Sequence, residues 1–191
     1  VFPSRWKQAN IVPIHKKGDK KDPQNYRSVS LLSLFGKILE KIVSDELLRH
    51  AAPVLSPAQH GFLPGRSCSS NLATYLHTAW GSISDGCQTD AIYTDFSAAF
   101  QSVNHKLLLY KLSESFGISG KILDWFVSYL SDREQRVIVN GKTSEWTKVK
   151  SGVPEGALLA PLLFSLFIND LPTVVASSNC VMYADDVEIY R

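Results

Sequence analysis

The stretch NCVMYADDVEIYR, residues 179–191, sets two adjacent acids, Asp185 and Asp186, inside a run of strand formers. Cys180, Val181, Met182 and Tyr183 on one side and Val187, Ile189 and Tyr190 on the other read as two short strands. Small and acidic residues between them form the tight turn of a hairpin. On such a turn side-by-side carboxylates are solvated and their repulsion costs little, so an ordinary acidic turn is one reading. A divalent cation site is the other, because hard cations take carboxylate oxygens and relieve the repulsion.

Immediately upstream, SGVPEGALLAPLLFSLFINDLP (residues 151–172) is a Gly/Pro loop feeding a largely buried helix. Before that, QRVIVNGKTSEWTKV (135–149) alternates around Asn140-Gly141, a strong short-range hairpin signal. A helix over about 119–130 carries Ile122, Trp125, Phe126 and Tyr129 on one side, and TDAIYTDF (89–96) is a short strand continued by turn and helix to Gly117. Two helices precede it. In 33–49, Leu34, Phe35, Ile38, Leu39, Ile42, Val43, Leu47 and Leu48 recur at three- and four-residue steps, and 69–84 is closed by Gly86. The first 27 residues are polar and punctuated by Pro3, Pro13 and Pro23, with one strand candidate at 10–14 and a lysine-rich loop, HKKGDKK, at 15–21.

With 191 residues, 45% of them apolar, the chain can bury one sizeable core. Its formal charge of +2 neither requires nor excludes a nucleic-acid partner. Cys68, Cys87 and Cys180 are widely spaced and give neither a disulfide framework nor a zinc pattern, so a reducing compartment is the default. No apolar run reaches the ~18–20 residues that span a bilayer and no targeting signal is legible. The expectation is an intracellular protein, in nucleus or cytoplasm, with no membrane partner. Val1 stands first and Met182 is the only methionine, so a window of a longer protein is expected.

Asp95 ends the 89–96 strand where the chain turns into a helix. There it can cap the helix or serve a site at the sheet edge. Joined to Asp185 and Asp186, it completes the parts needed to hold two magnesium ions ~3.5–4 Å apart for an in-line phosphoryl displacement.

The blocks WKQANIVPIHKKGDKKDPQNYRSVSLLS (6–33), QHGFLPGRS (59–67), DFSAAFQSVNH (95–105), SYLSDREQRVIVNG (128–141), SGVPEGALLAPLLFSLFINDLP (151–172) and YADD (183–186) follow in order. Together they resemble the reverse transcriptase domain of non-long-terminal-repeat retrotransposons along essentially the whole chain. The resemblance implies an α+β fold of the right-hand polymerase type, fingers and palm, with a small antiparallel palm sheet backed by helices. Residues 1–88 correspond to fingers and 89–191 to a partial palm with an interposed helical and hairpin segment at about 105–150. The thumb is expected to be absent, and processive synthesis by these residues alone is expected to be weak. The implied activity is RNA-directed DNA polymerisation with two Mg2+ ions, Mn2+ being a possible substitute. An RNA template, a DNA primer and deoxynucleoside triphosphates are the implied partners.

Carried over position by position, the resemblance makes Asp95 and Asp185 metal ligands, with Asp186 completing the catalytic acids and the Phe96 carbonyl as a backbone ligand. Phe100 matches the bulky residue that crowds the sugar 2′ position, a core aromatic being the alternative. Arg27 matches a triphosphate-gripping arginine, and Lys16 and Lys17 are looser candidates or a solvated loop. Glu155 and Gly156 fall in the nucleotide-contacting loop. Arg66, Arg133 and Arg136, with Lys142, are available to a nucleic-acid backbone, the alternative for each being surface charge. Asn169 and Asp170 read as a helix cap and stop, and His105 as structural.

Several positions depart from the family pattern. Glu155 stands where the family usually has Gln, Ala157 for Ser, Ala160 for Gly, Gln101 for Asp and Ser28 for Pro. At ~6 Å and an effective dielectric of ~20, an ionised Glu155 costs about 3 kcal/mol against each triphosphate charge. A catalytically impaired nucleic-acid-binding remnant is therefore the alternative to a working polymerase. A metal-dependent nuclease leaves the N-terminal blocks and Phe100 without a role.

Overall fold

The computed structural model describes residues 1–175 and 177–191. In chain order its strands and helices are β1 (Gln8–His15), β2 (Tyr26–Leu31), α1 (Leu34–Ala51), α2 (Cys68–Ser84), β3 (Ala91–Asp95), α3 (Ala99–Ser102), α4 (His105–Glu114), α5 (Gly120–Leu130), β4 (Glu134–Val139), β5 (Lys142–Thr143), β6 (Thr147–Lys148), α6 (Ala160–Phe167), α7 (Leu171–Val174), β7 (Asn179–Tyr183) and β8 (Asp186–Tyr190). None of the described helices is long and apolar enough to cross a membrane.

Two sheets organise the chain. The larger runs β2-β1-β4-β5 with β6 also on β4, and the smaller runs β3-β8-β7. In the larger sheet β1 pairs antiparallel with β2 and parallel with β4, which ties residues 8–11 to 134–137. The hairpin expected at Asn140-Gly141 is present: Val139 pairs with Lys142, and both loop residues take positive φ, the twist that suits a two-residue turn. In the smaller sheet Tyr183 pairs with Asp186, so the acidic turn also has two residues, Ala184 and Asp185. This is the α+β arrangement expected, a small antiparallel sheet backed by helices.

One core joins the helices to the small sheet. Leu108 and Leu112 of α4, Phe126, Tyr129 and Leu130 of α5, and Leu163, Phe164 and Leu166 of α6 pack in one cluster with Met182 and Val187 of the hairpin. Lys111 of α4 locks this layer: its ammonium donates to the Phe167 carbonyl (2.7 Å) and pairs with Asp170 (2.6 Å). Asp170 is thus an ion-pair partner at the start of α7, making no side-chain cap bond. Asn169 is not a cap either. Its carboxamide accepts from the Ser56 amide (2.7 Å) and donates to the Val54 carbonyl (3.0 Å), clasping a loop more than a hundred residues away.

Helix α1 forms where its period places it, capped by Ser33, but only part of its apolar set, Leu39, Val43, Leu47 and Leu48, faces the core. Leu34 and Phe35 are 72% and 69% exposed, whereas Glu40 is only 2% exposed. The cause lies in α5. Glu40 accepts from the Tyr129 hydroxyl (3.0 Å) and from the Leu158 amide (2.8 Å), and the Arg133 guanidinium lies against the Tyr129 ring. Burial pushes the Glu40 carboxyl up, while these hydrogen bonds and the Arg133 charge work against that rise. Strand β2 is not foreseen from sequence; its amides find partners only once β1 lies alongside.

Candidate active site

Asp95 closes β3 and Asp186 opens β8, and the ladder sets them directly opposite one another. Asp185 precedes Asp186 on the turn, beside Ala184, whose φ of 59° lies in the left-handed region. Asp185 lines a cleft of about 940 Å³ and Asp186 a neighbouring cavity of about 430 Å³, while Asp95 borders both. The Asp186 carboxyl is raised above its usual value, first by burial and then by the negative charges of Asp185 and Asp95. Asp185 and Asp95, the latter 91 positions away in sequence, therefore act electrostatically on Asp186.

Carboxylate oxygens are the donors that a hard divalent cation takes. Among the described residues no three His, Cys, Asp or Glu side chains close into a ready-made cage. Phe96, whose carbonyl is the expected backbone ligand, borders the larger cleft with Asp95 and Asp185.

Lys16, beyond the end of β1, and Arg27, on β2, line that same cleft. Both are exposed, so their charges are free to meet an anion. Lys17, next to Lys16, is exposed and does not line the cleft. Phe100 sits between the core and the cleft. Its ring stacks on Phe164 of the core (4.9 Å between centroids, 22°) and meets Phe62 edge-on (6.0 Å), yet it also borders the cleft.

Glu155 and Gly156 lie in the lining as well. The Glu155 carbonyl accepts from the Ser30 amide (3.1 Å), which binds this loop to β2. Gly156 has φ +100° and a Cβ there would stand 3.0 Å from the Ser30 carbonyl oxygen, so the close approach requires glycine. One Glu155 oxygen accepts from the Gln101 carboxamide (3.1 Å), and the other is buried without a partner. Two positions that depart from the family pattern thus face each other.

The basic residues assigned to nucleic acid are corrected in part. Arg133 is 2% exposed, donates to the Tyr129 carbonyl (3.1 Å) and packs over the Phe2 and Tyr129 rings, so it cannot reach a partner. Arg66 turns inward and donates to the carbonyls of Ser56 and Pro57 (3.0 Å each) and of Gln59, which makes it a brace of its own loop. Arg136 is half-buried, bonded to Asn10 (2.8 Å) and stacked on Trp146. His105 bonds the Gly152 carbonyl (2.7 Å), inside the structure.

Two side chains at this edge carry no assignment from sequence. Glu188, two residues after Asp186 on β8, lines the smaller cavity with Asp95 and Asp186, and burial and the Asp186 charge push its carboxyl up. The strand period of two was the available signal. Gln59 is fully buried and bonds the backbone of Ala184 in the acidic turn. Nothing local in the sequence points to that contact.

A family model described as reverse transcriptase (RNA-dependent DNA polymerase) matches residues 14–191. The chain is 32% identical over 198 residues to "RNA-directed DNA polymerase from mobile element jockey" of Drosophila melanogaster, and 31% identical over 198 residues to "Probable RNA-directed DNA polymerase from transposon BS" of the same organism. Each match covers 98% of this chain but only 21% and 22% of the relatives, so the chain spans about a fifth of their length. Among solved structures, telomerase from Candida tropicalis superposes on the whole chain with a TM-score of 0.69 at 12% identity, covering 44% of that chain. Telomerase from Candida albicans reaches 0.62 at 16% identity over 98% of this chain and 38% of its own. At these identities the likeness concerns the fold.

Proposed function

We propose, on the premise that this chain belongs to the reverse transcriptase family, that its larger cleft is the nucleotidyl-transfer site of an RNA-directed DNA polymerase from a retrotransposon polyprotein. The observation that carries the proposal is the composition of one cleft: carboxylates of Asp95 and Asp185 share it with the cations Lys16 and Arg27. A triphosphate bridges such a pair of surfaces, with guanidinium and ammonium taking phosphate oxygens and the acids facing the reacting end.

Asp95, Asp185 and the Phe96 carbonyl, with Asp186 alongside, are the groups that would hold magnesium or manganese, which when bound activates an attacking hydroxyl and steadies the leaving oxygen. Everything else falls to the chain's own residues. Arg27 fixes the triphosphate by a forked hydrogen-bond pattern, and Lys16 adds a point charge. Phe100, immobilised against Phe164, walls the sugar and disfavours a 2′-hydroxyl. The substrates are a deoxynucleoside triphosphate and a primer 3′-hydroxyl paired on an RNA template, and phosphoryl transfer rests mainly on positioning and electrostatics.

Glu155 favours a second reading, a nucleic-acid-binding remnant, because its charge stands in the cleft where a triphosphate would lie. Single-nucleotide extension of a DNA primer on RNA separates the two. Magnesium-dependent addition that disappears in Asp185→Asn supports the polymerase. Template binding without addition, with addition appearing only in Glu155→Gln, supports the remnant.

A further inference from the structure

The fully buried side chain that touches the acidic turn comes from none of the strands that form it. Residues 58–60 run beside β7, with the Met182 amide donating to the Ala58 carbonyl (2.8 Å) and the His60 amide to the Met182 carbonyl (2.7 Å). This parallel bridge brings Gln59 to the turn. Its Oε1 accepts from the Ala184 amide (3.0 Å) and from the Gly61 amide (2.7 Å), and its Nε2 faces the Ala184 carbonyl at 3.4 Å. With no exposure at all, neither end of the carboxamide has water as a substitute partner.

The surroundings brace that contact from both sides. Arg66 binds the Ser56, Pro57 and Gln59 carbonyls, and Asn169 holds the Ser56 amide and Val54 carbonyl, so the loop delivering Gln59 is itself tied down. At Gly61 an added Cβ would lie 2.2 Å from the Ala184 nitrogen, so loop and turn are in direct backbone contact. Ala184 is a non-glycine residue at φ 59°, a conformation an L-residue avoids unless its neighbours impose it.

We propose that Gln59 is the positioning residue of the acidic turn, its carboxamide holding Ala184 left-handed so that Asp185 enters the cleft while Asp186 stays opposite Asp95. The consequence for metal and catalysis rests on the polymerase reading; the clamp itself does not. Gln59 touches neither cleft-lining acid by any described side-chain bond and acts through backbone alone.

Amide hydrogen exchange at Ala184 tests the clamp in the wild type, Gln59→Met and Gln59→Glu, with Mg2+ titrated into each by calorimetry. Loss of the acceptor in Gln59→Met is expected to speed Ala184 exchange at least about tenfold relative to the β7–β8 ladder amides and to weaken Mg2+ binding by a similar factor. Gln59→Glu, protonated in this buried site, keeps an acceptor for both amides and a donor for the Ala184 carbonyl, and is expected to retain slow exchange. In primer extension, Gln59→Met lowers kcat and leaves the nucleotide KM in place. Ala184 exchange unchanged in Gln59→Met overturns the proposal, as does fast exchange in a folded Gln59→Glu. If Gln59→Met fails to fold, Gly61→Ala decides: its Cβ displaces Ala184 with the carboxamide intact, and unaltered Ala184 protection there also overturns the clamp. A wild type that binds no Mg2+ counts against the polymerase reading, while the clamp is decided by the exchange data.

Discussion

Asp95 and Asp186 are cross-strand partners at the end of the β3–β8 ladder, two like charges at a position where sheets are stabilised by opposite ones. Such a pair costs stability unless something positive lies between them. Asp95→Asn is therefore expected to raise the thermal midpoint in the absence of divalent cations, by the equivalent of about 0.2–1 kcal/mol, while abolishing magnesium-dependent activity. Melting curves in chelator check this; a lowered midpoint would mean that the pair does not cost the fold stability.

Glu40 makes stability depend on pH with an unusual sign. Burial raises its carboxyl above the ordinary value of 4.5, so the folded protein binds its proton more tightly than the unfolded chain does. Its contribution is then fully present below 4.5 and is lost as pH rises through the raised value. Urea unfolding of wild type and Glu40→Gln should show the wild type losing stability relative to the variant as pH rises from 4.5. The same trend in both proteins would assign it elsewhere. Arg133 and Tyr129, the groups that face Glu40, keep their charge states across that range.

The Gln101–Glu155 hydrogen bond holds a carboxylate in the larger cleft. Releasing it should let the charge turn toward the triphosphate. Gln101→Ala is expected to weaken deoxynucleotide binding by about tenfold in the wild type and to have no such effect in Glu155→Gln. Equal losses in both backgrounds would show that Gln101 acts independently of Glu155.

Phe100 is expected to separate stability from selectivity. Phe100→Val removes a ring stacked on Phe164, at a cost of about 1–3 kcal/mol, and opens the cleft wall. Discrimination between deoxy- and ribonucleotides should fall at least about tenfold, read as a ratio of kcat/KM values. Destabilisation with unchanged discrimination would make Phe100 a core residue only.

Much of this fold was legible because its signals are local. The acidic hairpin, the Asn140-Gly141 turn and the helix over Leu34–Ala51 follow from turn chemistry and periodicity within a few residues. What stayed hidden depends on partners far along the chain. Period identified α1 and part of its buried face but not Glu40, which goes inside only because Tyr129 and Leu158 satisfy it. A basic residue reads alike whether it is exposed, as Arg27 is, or spent on buried carbonyls, as Arg66 and Arg133 are. Gln59 gave no sign because its role arises only when the 58–60 segment docks beside β7.

Magnesium-dependent binding of a deoxynucleoside triphosphate, measured at equilibrium in the wild type, Arg27→Ala, Asp185→Asn and the double variant, bears most directly on whether one cleft joins acids and cations in a single site. A shared site predicts that each substitution weakens binding at least about tenfold and that the second loses less once the first is present. Binding that is indifferent to Asp185, or losses that simply add, would contradict it.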